Sequence, residues 1–422
     1  MIKFELKDYQ IEGVEFIKNA MEEYSCCILG DVPGLGKTIQ GIQVIVENNF
    51  KTLIICPSYL KINWMDEINK FSNLNAMILE SSSKITTIED LDPYDVIVIN
   101  YETTFNKKLY PFLYHTKFDL VICDESQYLK TYSAKRTAHT ASLLKHHPRR
   151  LLSTGTPLKN KPEDAFTQLN AIMETYFDDS RVFKRNFCNN PKLFQKTISP
   201  FYIRRTKEEV LKDLPPVFGK KIIFELSKQE SEDYQKIFNG PKSKGSALVA
   251  ITKSKQFLAN KKLNYVIDIT DDLISQGEKV VIFTQYRKII QDLNDYYGDV
   301  SVIHQGGMKN SDRQNNIKSF QEDPSKTVLI ANLATAVGYN ATSSSHVIFL
   351  DLPWSPADRQ QSIDRLHRIG QKNPVNVYYP LFKETLDEYI HNLLEFKQDL
   401  VGKFTEKFKD QSILQKIIEL FL

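Results

Sequence analysis

The run Gly30-Asp31-Val32-Pro33-Gly34-Leu35-Gly36-Lys37-Thr38 follows a short apolar stretch and precedes the helical spacing of Ile39–Val46. Such a loop can cradle phosphate. Gly34 and Gly36, with Leu35 between them, let backbone N–H groups close on phosphate oxygens, and the start of a helix adds its positive end. Lys37 reaches the β- and γ-phosphates of ATP, and Thr38 ligates Mg2+. The strict pattern has glycine where Asp31 stands, and Pro33 removes one donor. A glycine turn that merely ends in lysine is the competing reading until other parts agree.

Three further groups agree with it. Phe118–Cys123 is an apolar run that ends in Asp124-Glu125, where a strand-end carboxylate (Asp124) can hold Mg2+ and its neighbour (Glu125) can orient or deprotonate the attacking water. Leu152-Ser153-Thr154-Gly155-Thr156-Pro157, with Asn160 after it, places small hydroxyl residues at another strand end. In Asp358–Gln371 the spacing of Arg365 and Arg368 predicts one helix face on which two guanidinium groups can meet γ-phosphate charge. Taken singly, these are a solvated strand end, a structural turn and a basic helix face; the phosphate loop upstream is what joins them.

The elements that must carry these residues read as alternating short apolar runs and amphipathic stretches. Cys26–Leu29, Leu53–Cys56, Asp95–Ile99, Phe118–Cys123 and Leu151–Ser153 form one series, and Lys279–Phe283, Val300–His304, Thr327–Ile330, His346–Leu350 and Val375–Tyr379 a second. Strands alternating with helices predict βαβ units on parallel sheets, hence two α/β lobes. The expected division is an N-terminal lobe over residues 1–225 with a helical insertion at about 160–200, and a helical insertion and linker over 226–275. A C-terminal lobe over 276–400 and a final helix over 401–422 complete it. Pro241–Ser246 is the candidate mobile loop. Ser227, Ser311 and Ser355 each stand three residues before an acceptor side chain and predict helix starts.

Composition bounds the rest. The 422 residues are 41% hydrophobic and 25% charged, which excludes a disordered chain and suits two globular domains. With 55 basic and 52 acidic residues the formal charge is only +3, so nucleic-acid binding would have to come from a local groove. The five cysteines (Cys26, Cys27, Cys56, Cys123 and Cys188) have no metal-ligand spacing and are expected to be buried and reduced. No apolar stretch approaches the length of a membrane helix and the chain start lacks an apolar signal core, so a soluble intracellular protein is expected, cytoplasmic or nuclear.

The order of these motifs resembles the Swi/Snf branch of helicase superfamily two, from about Leu6 to about Leu393. Leu6-Lys7-Asp8-Tyr9-Gln10 is similar to that family's entry motif, which implies adenine recognition by Gln10. Ile54–Ser58 with Trp64 is similar to its first DNA-contacting motif. Phe201–Val210, followed by Leu214-Pro215-Pro216, resembles a stretch peculiar to the branch. In the second lobe His304–Met308, Arg313 and Phe320 resemble the His-Gly and Arg-Gln region, and Gly338 with Asn340 the glycine-asparagine turn counted with the nucleotide contacts.

The resemblance implies two RecA-like P-loop lobes, ATP and Mg2+ bound between them, arginine fingers at Arg365 and Arg368, and translocation along double-stranded DNA by a monomer. It also implies partners among replication, repair or transcription proteins. Gln127 stands where many members have histidine, and Thr335-Ala336 replaces a common glycine pair; histone-contacting modules are not expected. An unwinding or strand-annealing helicase, and a non-hydrolysing scaffold, remain the alternatives.

Overall fold

The computed structural model describes residues 5–81, 83–155, 162–188, 190–239, 244–333 and 339–402. Gly338, Thr156-Pro157, Asn160, Thr335-Ala336 and the terminal 403–422 lie outside them, so the expectations placed on those positions are not addressed by the structure. The chain divides into two compact units, Met1–Lys212 and Asp213–Leu422.

In the first unit, strands β1 (Cys26–Leu29), β2 (Thr52–Cys56), β3 (Ala76–Ile78), β4 (Val96–Asn100), β5 (Leu120–Asp124), β6 (Arg150–Ser153) and β7 (Tyr202–Ile203) form one sheet, ordered β3-β4-β2-β5-β6-β1-β7. All recorded pairings are parallel. In a parallel sheet the strand C-termini share one edge, and that edge carries the loop after β1, the acids after β5 and the hydroxyls after β6. Helix α1 (Asp8–Tyr24) buries Val14, Ile17, Ala20 and Met21 and opens with a box in which the Lys7 backbone N–H donates to Gln10 Oε1 at 3.0 Å. Helix α2 (Lys37–Asn48) starts directly from Gly36, and α3 (Lys61–Phe71) buries Lys61, Trp64 and Ile68. The expected insertion is helical, with Pro162–Ile172, Ser180–Phe183 and Pro191–Ile198 around an aromatic cluster of Phe166, Phe177, Phe183, Phe187 and Phe194.

The second unit holds β8 (Val217–Phe224), β9 (Val280–Thr284), β10 (Ser301–His304), β11 (Val328–Asn332), β12 (His346–Phe349) and β13 (Val375–Phe382), ordered β10-β11-β9-β12-β13-β8 and again parallel. Its central strands are buried on both faces: Val281, Phe283, Leu329, Val347 and Phe349 join one apolar cluster, and Val280, Ile282, Val328, Ile330 and Ile348 another. This alternation is the period-two consequence of pleating in a sheet covered by helices on both sides.

Four expectations are corrected here. The first lobe does not reach residue 225, because β8 pairs along its whole length with β13 and belongs to the second sheet. Residues 226–275 are not a linker: Tyr234 of helix Lys228–Phe238 and Ile251, Leu258, Ala259 and Val266 of helix Lys244–Ser275 are core residues of the second unit. Lys244–Ser246 lie within that long helix, and only 240–243 fall outside the described residues. Of the three serines, Ser227 and Ser355 are caps, accepting from the N–H groups of Glu230 and Asp358; Ser311 lies inside helix Asn310–Glu322, whose cap is Lys309.

Candidate nucleotide site and its counterpart in the second unit

The loop after β1 takes a conformation few residues allow. Gly34 and Gly36 have φ of +91° and +77°, and a Cβ on Gly36 would meet Gln10 Nε2 at 2.5 Å. Glycine at 36 therefore serves both the left-handed turn and the approach of α1. Leu35 contributes its main chain: its side chain is buried, and its carbonyl accepts from Tyr9 Oη and Gln10 Nε2, both at 3.1 Å. Lys37 Nζ donates to the Asp31 carbonyl at 2.8 Å, and Lys37 and Thr38 are half-buried at the first turn of α2.

The departure at Asp31 has a physical reason. Its carboxylate is fully buried and forms an ion pair with Arg205, whose Nη2 donates to Oδ2 at 2.6 Å and whose Nε and backbone N–H donate to Oδ1 at 3.1 and 3.0 Å. A buried charge is tolerated when it is paired and its lone pairs are filled, and here they are.

Asp124 ends β5 at the same sheet edge. Oδ1 accepts from Ser153 Oγ and from the Glu125 N–H, each at 2.9 Å, and Oδ2 accepts from Trp64 Nε1 at 3.0 Å. Burial and the neighbouring Glu125 charge push its carboxyl up to about 6, against the pull of Ser153, Lys37 and Trp64. Lys37 is near enough for its charge to draw that carboxyl down. Glu125 sits in the left-handed region (φ 50°, ψ 50°), a backbone cost that for a non-glycine residue marks an imposed conformation. Gln127 Nε2 donates to Glu125 Oε2 at 2.5 Å, while Gln127 Oε1 accepts from Thr154 Oγ1 at 2.7 Å. The amide thus spans the strand-end acid and the hydroxyl turn, a junction that a neutral side chain with one donor group and one acceptor can make.

In the second unit the helix predicted through Arg368 ends at Ile363, and Arg365 and Arg368 lie in the turns beyond it, so they do not share a helix face. The reason lies in the hydrogen bonds that replace the helical pattern: Arg365 N–H donates to Ser362 O and Leu366 N–H to Ile363 O, one residue short of a helical step. Arg365 is buried; its Nε donates to Gln361 O at 3.1 Å and its Nη1 to Tyr339 O at 3.3 Å. His304, 4.5 Å from the Tyr339 ring, is pushed down to about 4 by burial and by the charges of Arg313 and Arg365. His367 Nε2 lies 2.8 Å from the Pro215 carbonyl, which ties the Leu214-Pro215-Pro216 segment to this turn.

The structure thus brings Gln10, Gly34, Leu35, Gly36, Lys37, Thr38, Asp124 and Glu125 to one edge of the first unit, and Arg365 beside Tyr339, His304 and Arg313 in the second. Sequence reasoning missed the donors around the acids. Trp64, expected with a DNA-contacting motif, is 1% exposed and holds Asp124. Local spacing gives no sign of that bond, which spans 60 positions. A magnesium ion fits the set: it is held by one or two oxygen ligands of the protein with phosphate oxygens and water supplying the rest. The described residues accordingly need no cluster of three acids, and none is found among them.

Two parallel α/β units, one bearing a phosphate loop with a strand-end acid pair, define a two-lobed P-loop protein. The SNF2-related domain model matches residues 9–283, and the helicase conserved C-terminal domain model matches residues 261–370. The chain belongs to the SNF2-related family, and each of its two units is built on a parallel sheet. It is 28% identical over 438 residues to the human DNA annealing helicase and endonuclease ZRANB3, covering 95% of this chain and 40% of that protein. It is also 28% identical over 444 residues to an uncharacterised ATP-dependent helicase of Mycoplasma genitalium, covering 94% of this chain and 42% of that one. Among solved structures, the Sulfolobus solfataricus SWI2/SNF2 ATPase core in complex with dsDNA is similar at 27% identity and a TM-score of 0.49, over 94% of this chain and 92% of that chain. The chain spans about two fifths of the length of these curated relatives. No helix among the described residues is long and apolar enough to cross a membrane.

Proposed function

We propose that the chain is a DNA-dependent ATPase that translocates along double-stranded DNA. The observation that carries this reading is the meeting, at one sheet edge, of the phosphate loop with an acid pair whose every member is held by a named partner, in a chain of the SNF2-related family. In this reading the amides of Gly34–Thr38 and the positive end of α2 bind the phosphates, Lys37 leaves the Asp31 carbonyl for the β- and γ-phosphates, and Gln10 reads the adenine. Glu125 orients the attacking water and takes its proton; its carboxylate is already fixed by Gln127. Thr38 and Asp124 would hold Mg2+, which supplies neutralisation of the charge that builds on the phosphate oxygens. Arg365 and Arg368 are the arginine fingers of this reading, and within the second unit Arg365 is braced by two backbone carbonyls. Partners other than DNA would come from replication, repair or transcription.

The test is ATP turnover by the purified chain without nucleic acid and with duplex DNA, single-stranded DNA or RNA. Stimulation by duplex is expected, with turnover abolished in Lys37→Ala and Glu125→Gln while duplex binding persists. Normal hydrolysis by either variant would remove the site assignment. Stimulation mainly by single strands or RNA would favour unwinding. Strand annealing, the activity for which the relative ZRANB3 is named, is a second reading that an annealing assay with complementary oligonucleotides separates from translocation.

A further inference from the structure

Arg205 takes no part in the chemistry just described, yet its side chain and main chain are both anchored beside the phosphate loop. Its guanidinium spans both Asp31 oxygens, donates to Gln40 Oε1 at 2.9 Å and to the carbonyl of Tyr9, and lies 5.3 Å from the Tyr9 ring centroid. Its main chain joins in: Arg205 N–H donates to Asp31 Oδ1, and Val32 N–H donates to Arg205 O at 3.1 Å. Three elements thus meet on one side chain: the phosphate loop through Asp31, α2 through Gln40, and the start of α1 through Tyr9, next to Gln10. Space for it is reserved, since a Cβ on Gly13 would stand 2.6 Å from Arg205 Nη2 and collide with Gln40 Oε1.

The same residue sits where the chain leaves the first unit. It follows edge strand β7, precedes the Thr206–Glu209 capping box of helix Lys207–Val210, and the unit ends at Lys212. Asp31, 174 positions away, carries on its own carbonyl the Lys37 ammonium. A displacement of residues 206–212 therefore has a stiff path to Lys37 through a planar fork bound at several points, which a flexible lysine could not provide.

We propose that Arg205 is a positioning residue that makes the geometry of the phosphate loop depend on the segment leading out of the first unit, so that events in the second unit reach the ATP site through the Arg205–Asp31 pair. This rests on the functional reading above and adds a route of control to it. The loop would take its productive shape only when that segment is held in the arrangement that DNA engagement imposes.

The test compares unstimulated and duplex-stimulated turnover, and affinity for a fluorescent ATP analogue, in the full chain and in Arg205→Lys and Gly13→Ala. Arg205→Lys keeps the charge and loses the fork; Gly13→Ala displaces the fork without touching it chemically. Both are expected to bind the analogue within about threefold of the parent while the ratio of stimulated to unstimulated turnover falls about tenfold or more, since misplacement by about 1 Å costs about a hundredfold in rate. An unchanged ratio overturns the proposal, and so does a fall in analogue affinity that matches the fall in turnover, because Arg205 would then only hold the loop together. If Arg205→Lys does not fold, Gly13→Ala reads the same ratio. A parent chain that duplex does not stimulate overturns the functional reading and this route with it, whereas a stimulated parent with equally stimulated variants overturns the route alone.

Discussion

At the scale of single residues, Asp124 shows burial outweighing hydrogen bonding at a carboxyl. Three donors fill its oxygens, yet burial and Glu125 still push its carboxyl up to about 6 from an ordinary 3.8. A carboxyl raised on folding binds its proton more tightly in the native state, so native stability falls as pH rises from about 4 to about 6 and stays lower above that. At about 1.4 kcal/mol per pKa unit the loss is on the order of 3 kcal/mol. The chain has two tryptophans, Trp64 in the first unit and Trp354 in the second, so Trp64 fluorescence during urea unfolding, without nucleotide or Mg2+, follows the first unit. The stability difference between the parent and Asp124→Asn is expected to shift against the parent by about that amount between about pH 4 and about pH 7. A difference independent of pH would show that Asp124 titrates as an ordinary carboxylate.

At the scale of elements, what was legible depended on whether the determining contacts were local. The ten strands expected from continuous apolar runs all form, because a strand covered on both faces must be apolar at every position. The three strands that were missed are edge or near-minimal elements: β3 has three half-buried residues, β7 has two, and β8 is mostly exposed, with Gly219-Lys220-Lys221 at its centre. Backbone pairing with β13 holds β8 in place, and no side-chain pattern announces that. The loop and acid pair were legible because each is contiguous; the Trp64–Asp124 and Arg205–Asp31 bonds were not, because they join distant positions. The long helix Lys244–Ser275 read as part of a helical insertion and linker, and its place in the core was missed for a similar reason. Its Lys255 and Lys262 look like solvent-facing charges, but Lys262 pairs with Asp387 at 2.8 Å with both side chains buried. Lys255 lies 4.1 Å from the Trp354 ring centroid, donates to Leu352 O at 2.6 Å and is pushed down to about 8 by burial. Removing one member of a buried pair strands the other charge at a cost of about 3–5 kcal/mol, whereas replacing both by apolar groups is often close to neutral. Asp387→Ala is expected to lower the unfolding midpoint read by Trp354 fluorescence, and Lys262→Met with Asp387→Leu to restore most of it. A single variant as stable as the parent would mean that water reaches Lys262.

For the whole molecule, charge bears on how DNA would be held in the proposed function. With 55 basic and 52 acidic residues, a formal charge of +3 gives the chain almost no long-range attraction for a duplex. Affinity must then come from close phosphate contacts on local surfaces, each releasing a condensed counterion, and the number of those contacts is read directly from salt dependence. A motor that steps along any sequence has no use for base-edge contacts, so phosphate contacts should carry nearly all of the binding. For about five of them, the slope of log affinity on log salt is about −4.5, and raising salt from about 50 to about 200 mM weakens binding about 500-fold. Fluorescence anisotropy on duplexes of unrelated sequence is expected to give the same slope and closely similar affinities at each salt concentration. A shallow slope with strong sequence preference would place base recognition in a chain whose balanced charge gives no reason to expect it, and would exclude sequence-independent translocation.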